Sequence, residues 1–142
     1  MISLKKLWLI SLLSLSGFAF AANPVGYWQL KDKTGQPIMI IRVFQDRQGL
    51  SAKLIEYIPN RNARCSKCEG KNADKPIHGM VLITDLQAEK DNQWSGGKIL
   101  NPLTGKVSKV QMTINAAGTE LKINSYGFLS WFGSADVWTR RK

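Results

Sequence analysis

The chain has 142 residues, with 20 lysines and arginines against 10 aspartates and glutamates, which gives a formal net charge of +10 at pH 7. This length suits one domain that buries a core without needing a set of disulfides. The basic excess suggests nucleic acid, anionic lipid or an acidic partner. The positive residues are scattered, however, and no base-stacking motif accompanies them, so we expect no nucleic-acid partner.

The first 21 residues have the order of a secretory signal peptide. Lys5 and Lys6 precede an uncharged run over 7–20, and Ala19-Phe20-Ala21 is a small-x-small cleavage pattern. The apolar run is too short to span a bilayer as a helix. We therefore expect residues 1–21 to be removed and residues 22–142 to form one exported domain, periplasmic or secreted. That domain has no transmembrane segment, and its net charge is +8, because only two lysines leave with the leader.

The rest of the chain alternates between strand-like segments and turn residues. Strands are predicted over 27–30, 37–45, 50–58, 80–84, 94–100, 107–114, 120–126 and 135–140, with a tight turn at 46–49. In 107–114, alternation places Val110, Met112 and Ile114 on one face and Lys109 on the other. Because no segment beyond the leader shows a helical repeat, the sequence predicts an all-β domain of about eight strands.

The alternating apolar residues are candidates for a core or for the lining of a pocket. An eight-stranded barrel is wide enough for packed side chains or for one small apolar ligand. Both possibilities use the same residue types: Met39, Ile41, Val43, Leu54, Val110, Met112, Leu121 and Ile123.

Residues 60–75 break the strand pattern and carry the one concentration of positive charge, at Arg61, Arg64, Lys67, Lys71 and Lys75. The segment is longer than an ordinary connection, which indicates a functional lid or a mobile excursion. Its charges suit a solvated loop, or a patch that attracts anions or components of the cell envelope.

The same segment contains both cysteines, Cys65 and Cys68, in a C-x-x-C pattern. We expect a local disulfide that pins the loop. A redox-active pair is an alternative, although no helix or βαβ pattern follows it. The other alternative is a metal site completed by His78 and a carboxylate such as Glu69 or Asp74. If there is no metal site, we expect His78 to be a surface residue just before a strand begins.

Three motifs carry a family resemblance. They are PVGYW over 24–28, the block WSGGKILNPLTGK over 94–106, and a C-terminal set with Gly127, Phe132-Gly133 and VWTR over 137–140. Together they resemble the bacterial exported domain-of-unknown-function family 2147 over nearly the whole chain beyond the leader. The resemblance implies a lipocalin-like, antiparallel up-and-down barrel with no established activity, and it transfers no catalytic residues, because none are defined. The C-x-x-C segment departs from the usual pattern, so no role is carried onto it.

Several residues of these motifs are predicted to be structural. In lipocalin-like barrels the tryptophan of a G-x-W motif, here Gly26 to Trp28, closes the narrow end under a basic side chain from the last strand. Arg140, close to Trp138, is the candidate, and such a contact contributes about 0.5–2 kcal/mol. The alternative is that Trp28 is one more core aromatic.

Trp94 and the glycine pair after it are also predicted to be structural. Gly96 and Gly97 lie inside a strand pattern, where glycine indicates a bend or bulge rather than a ligand that approaches the backbone. Residues 101–105 then read simply as a turn.

Four residues are candidates for ligand binding. Glu56 shares strand parity with the apolar residues at 50, 52, 54 and 58, so it faces a ligand or Arg42 inside the barrel, or lies solvated at its rim. Phe128, Trp131 and Phe132 belong to an unusually apolar connection, which either plugs the barrel mouth or offers a patch to a partner or membrane surface.

The sequence therefore predicts a non-enzymatic binding or envelope-interaction module for a small apolar ligand or partner, without cofactor or metal. No serine-histidine-acid arrangement is recognisable. The alternative function is a thiol-disulfide or metal-binding activity centred on Cys65 and Cys68. Nothing in the sequence indicates an oligomeric state.

Overall fold

The computed structural model describes residues 21–126 and 136–142, and the strands within them close an antiparallel barrel. Each strand pairs with its neighbour in sequence, and β8 returns to pair with β1. This confirms the predicted all-β, up-and-down architecture of eight strands. The bounds are β1 (Gly26–Lys31), β2 (Pro37–Asp46), β3 (Gly49–Tyr57), β4 (Val81–Lys90), β5 (Gln93–Leu100), β6 (Val107–Ile114), β7 (Glu120–Tyr126) and β8 (Asp136–Arg140).

Two predicted segments lie wholly or largely outside the described residues. The leader is one of them. The other is the apolar connection after β7, with Gly127, Phe128, Trp131 and Phe132. Within 21–126 and 136–142, no helix has the length and apolar character needed to cross a membrane.

The hairpin between β2 and β3 has the tight turn predicted at 46–49. The carboxylate of Asp46 accepts hydrogen bonds from the Ser51 hydroxyl at 2.6 Å and from the backbone N–H groups of Gln48 at 2.8 Å and Gly49 at 3.1 Å. These hydrogen bonds favour the charged carboxylate and so hold the pKa of Asp46 below its ordinary value. The bond from Ser51 has the largest effect, followed by the bond from Gln48. The turn chemistry thus fixes the register of the hairpin between β2 and β3.

Strand β4 is longer than the predicted 80–84 and continues to Lys90. Its second half is polar, and only Leu86 there is buried, so the apolar signal ends early. Asp85 has a left-handed φ of 63°, and the pairing between β3 and β4 shifts around it. Because of this irregularity the side chain of Leu86 is buried, as are those of Leu82 and Ile83 earlier in the strand.

Apolar side chains fill the barrel interior. All eight predicted core or lining residues are buried, and five of them have an exposed fraction of 0%: Met39, Val43, Leu54, Met112 and Leu121. A side chain bordering a cavity large enough for water would expose surface to it, so these five border none. Around them the barrel has a filled core.

The seam between β1 and β8 is held by Arg140. Its guanidinium carbon lies 4.3 Å from the ring centroid of Trp28. Its Nε donates to the carbonyl of Gly118 at 2.8 Å, and its Nη atoms donate to the carbonyls of Val25 at 3.0 Å and Asn23 at 2.6 Å. One side chain therefore ties the seam to the N-terminal segment and to the turn before β7. Gly26, the first residue of β1, lies against this guanidinium, where an ideal Cβ would be 2.9 Å from Nη1. Trp138, on β8, is buried.

The glycine pair lies at an irregularity of β5. Gly96 has a φ of 77°, and the pairing of β5 with β6 shifts between Trp94 and Gly97. An ideal Cβ on Gly97 would lie 2.6 Å from the carbonyl oxygen of Thr84 on β4. Gly97 thus permits a close approach of two neighbouring strands, and half-buried Trp94 packs against the core beside it.

Candidate functional site

The connection from β3 to β4, residues 58–80 and hereafter the excursion, is packed against the barrel. Arg64 forms an antiparallel bridge with Pro76, and the N–H of Ile77 donates to the carbonyl of Ala63 at 3.1 Å. Several of its side chains are buried in the barrel's hydrophobic core, among them those of Ala63, Cys65, Cys68 and Ile77. The excursion is therefore a packed flank of the barrel and not a free-standing loop.

The two cysteines form a disulfide, as expected, and both are buried. The carbonyl of Cys65 accepts hydrogen bonds from the N–H groups of Cys68 at 3.1 Å and Asp74 at 3.0 Å, so the disulfide lies within an ordered turn. Burial limits access by an attacking thiolate, which is typical of a structural disulfide.

The metal alternative does not fit this arrangement. Both cysteine sulfurs are engaged with each other, and in the part of the chain that the structure describes no three His, Cys, Asp or Glu side chains converge to hold an ion. His78 is half-buried, and its Nε2 accepts a hydrogen bond from the N–H of Tyr57 at 3.1 Å. This histidine therefore helps to join the end of β3 to the excursion.

Replacing both cysteines with alanine is expected to lower the free energy of unfolding by only about 1–2 kcal/mol, because the disulfide closes a very short ring. Urea denaturation of the wild type with and without dithiothreitol, and of the double variant, measures this. The reductant should shift the wild type and leave the variant unchanged. A loss of more than about 4 kcal/mol would show that the bond holds far more of the fold than a ring of this size accounts for.

A cleft of about 940 Å³ lies between the excursion and the outer faces of β4, β5 and β6. Its floor includes Val81 and Val107, with exposed fractions of 41% and 60%, and half-buried Leu100. Leu100 and Val107 are direct cross-strand partners, so their side chains are adjacent on the outer face. The cleft thus has an apolar part of its floor on the outside of the barrel, and the excursion forms one of its sides.

Charged side chains surround this floor. Lys71 and Lys75 line the cleft from the excursion, and Lys98 lines it from β5. Within the described residues, the ion pairs are Arg61 with Glu56 and Arg64 with Asp74, so none of the three lysines has a carboxylate within 4.0 Å. Two carboxylates, Glu69 and Asp85, also line the cleft without an ion-pair partner there.

The turn at 101–105 packs against the part of the excursion that contains the disulfide. Buried Asn101 organises the turn: its backbone pairs with that of Lys106 at 2.8 Å, and its Oδ1 accepts from Leu103 at 2.9 Å. Gly105 has a φ of 74° and lies so close to the backbone of Lys67 that an ideal Cβ would overlap the Lys67 carbonyl oxygen. The sequence predicted only a turn here, whereas the structure makes it a support that fixes one wall of the cleft.

None of the predicted ligand-binding residues that the structure describes lies in the cleft. Glu56 is ion-paired with Arg61, Nε to Oε1 at 2.7 Å, while Arg42 lies 6.0 Å from the ring of Tyr27. The pairing of β2 with β3 shifts between Ile40 and the next residue, so strand parity fails beyond this irregularity. Of the four candidates, Phe128, Trp131 and Phe132 lie outside the described residues.

The comparisons with known proteins agree with the architecture. No curated protein matches the chain. A solved structure, protein HP1028 from the human pathogen Helicobacter pylori, which belongs to the lipocalin family, superposes with a TM-score of 0.70. Its sequence is 20% identical, and the match covers 85% of this chain and 84% of that protein. At this identity the likeness shows the fold alone.

A family match extends from the start of β1 to the end of β8, over residues 26–140. The family is described as an uncharacterized protein conserved in bacteria, DUF2147. The match covers most of the chain and includes Gly26 to Trp28 of the first motif and the other two motifs that carried the resemblance in sequence. The chain therefore belongs to the DUF2147 family and has a lipocalin-like β-barrel fold.

Proposed function

We propose that this protein is a non-enzymatic binding module that takes up a small molecule in the cleft between the excursion and β4, β5 and β6. The cleft itself carries the proposal: its volume of about 940 Å³ falls in the range of roughly 300–1,000 Å³ typical of ligand sites. The lipocalin-like fold supports a binding role in general. The filled core around the five fully buried residues favours the outer cleft over the barrel interior.

The chemistry of the lining supports binding rather than catalysis. Cys68 lines the cleft, but its sulfur is engaged in the disulfide, and the Nε2 of His78 already accepts the Tyr57 N–H. Catalysis by general base or nucleophile needs such groups within reach of a substrate atom and free to react. The thiol-disulfide alternative is disfavoured for the same reason, since both cysteines are buried.

Export is part of the proposal. The leader-like order of residues 1–21 and a disulfide in a chain of ordinary size both suit an oxidising compartment outside the cytoplasm. In that compartment the cleft would meet small molecules and envelope components rather than nucleic acid.

A substitution that fills the cleft tests the binding site. We expect Val107→Phe to weaken binding of the fluorescent probe 1-anilinonaphthalene-8-sulfonate about tenfold, a change of roughly 1.4 kcal/mol in binding free energy. The added ring occupies the apolar floor, where Val107 is exposed. Fluorescence titration measures the affinity, and native mass spectrometry of the purified protein reports any co-purified molecule.

Val137→Phe is the matched control. Val137 is also an exposed valine on a strand, with an exposed fraction of 47%, but it lies on β8 away from the cleft. Its substitution should leave the affinity unchanged. Equal affinities for the wild type and both variants would place the probe elsewhere and overturn the cleft as the binding site.

A further inference from the structure

We propose that the cleft selects an anionic amphiphile, a molecule with an apolar portion and a phosphate, sulfate or carboxylate group, which enters as a single molecule. This inference rests on the proposed function, since it names the class of ligand for the same site. The anionic group would lie among Lys71, Lys75 and Lys98, and the apolar portion would lie against Val81, Leu100 and Val107.

Unneutralised positive charge is the first observation behind the ligand class. The excursion has five basic residues, but Arg61 and Arg64 are already paired with Glu56 and Asp74. The cleft therefore presents its charge through lysines, and no described carboxylate lies within 4.0 Å of Lys71, Lys75 or Lys98. An anion bound between them would supply the missing counter-charge, with charge-assisted hydrogen bonds.

The carboxylates of the cleft do not cancel this charge. Glu69 and Asp85 line it against three lysines, so the lining keeps a positive excess. The chain beyond the leader has a net charge of +8, which adds a positive field at longer range and attracts anions towards the surface.

The exposed floor is the second observation. Val81, Leu100 and Val107, the apolar strip, come from three adjacent strands and line the same cleft as the lysines, with Leu100 directly opposite Val107. Outward-facing strand positions are ordinarily polar, since they contact water. An apolar chain laid on the strip would remove this surface from water and so favour binding.

The two sides of the cleft favour a single molecule over a bilayer surface. Lys71 and Lys75 line the cleft from the excursion and Lys98 lines it from β5, so the lysines border it from two different elements. The apolar strip and the lysines line one concave volume of about 940 Å³. A flat membrane does not match a concave lining, whereas one amphiphile reaches both groups of residues.

The test compares three probes with the same eight-carbon tail, each used below its micelle-forming concentration: octyl phosphate, octyl glucoside and octyltrimethylammonium. Isothermal titration calorimetry of the full chain beyond the leader measures their affinities. We expect octyl phosphate to bind about tenfold more tightly than octyl glucoside, with octyltrimethylammonium weakest. Added salt should weaken octyl phosphate alone, because it screens the lysines.

A triple variant, Lys71→Gln, Lys75→Gln and Lys98→Gln, is expected to lose this preference and keep the affinity for octyl glucoside. The matched control changes three exposed lysines outside the cleft to glutamine, Lys31, Lys33 and Lys122, and so has the same net charge. The control should keep the preference. If it loses the preference as the triple variant does, overall charge explains the result and the cleft assignment is overturned.

The outcomes separate this inference from the proposed function. Equal affinities for the three probes, all weakened by Val107→Phe, would overturn the anionic class and leave the cleft as a binding site. Probes unaffected by Val107→Phe would overturn the cleft itself. Binding to phosphatidylglycerol vesicles without binding to monomeric octyl phosphate would overturn the single-molecule inference in favour of a membrane surface.

Discussion

Trp28→Ala is expected to lower the free energy of unfolding by about 3–5 kcal/mol, the range for removing a large buried aromatic side chain. Trp28 has an exposed fraction of 0%, its Nε1 donates to the carbonyl of Pro24 at 2.8 Å, and Arg140 lies over its ring. The substitution removes core volume, a buried hydrogen bond and the cation–π contact together. Chemical denaturation followed by circular dichroism measures the loss.

Two further variants make this result interpretable. Trp94→Ala removes the same volume from a half-buried position and should cost clearly less. Because a natural domain has only about 5–15 kcal/mol of stability, Trp28→Ala risks unfolding the protein altogether. Trp28→Phe keeps an aromatic ring and is expected to retain the fold. A Trp28→Ala variant no less stable than Trp94→Ala would refute the central packing role of this residue.

Gly105→Ala is the second substitution with a large expected effect. Its φ of 74° is unfavourable for alanine by about 1–2 kcal/mol. The new Cβ would also overlap the Lys67 carbonyl oxygen, and overpacking of this kind costs about 1–3 kcal/mol more. To relieve the overlap, the disulfide end of the excursion must move away from the turn, so the wall of the cleft moves with it.

Gly96→Ala is the control for the backbone term alone. Gly96 has a φ of 77°, but its ideal Cβ meets no atom within 4 Å. Gly105→Ala should therefore be the less stable of the two in urea denaturation. It should also bind 1-anilinonaphthalene-8-sulfonate more weakly than Gly96→Ala does. Equal stability and equal probe affinity would contradict the support that the turn at 101–105 gives to the excursion.

The barrel was predictable because each strand carries its own signal. Alternation in β6 placed Val110, Met112 and Ile114 inside, and all three are buried. Turn residues marked the hairpin at 46–49 in the same local way. Strand β4 ran longer than predicted because Leu86 lies beyond a left-handed residue, where a period of two no longer applies.

The cleft was not predictable, because it depends on contacts between distant segments. Lys71 and Lys75 belong to the basic concentration noticed in the sequence, but Lys98 and Val107 join them only through the pairing of β5 and β6. Gly105 looked like an ordinary turn glycine, and its approach to Lys67 requires the folded excursion. Parity left Glu56 either inside the barrel or at its rim, because the register shift that precedes it in the pairing of β2 with β3 has no signal in the sequence.

The closure of the barrel has a consequence for how the polypeptide is made. Arg140 donates a hydrogen bond to the carbonyl of Val25 across 115 positions of sequence, and β8 is a strand of five residues. Until those residues are available, β1 and β7 remain unpaired edges, which invite pairing between molecules. A product that stops before β8 would therefore tend to aggregate, and the barrel can close only once synthesis has passed this strand.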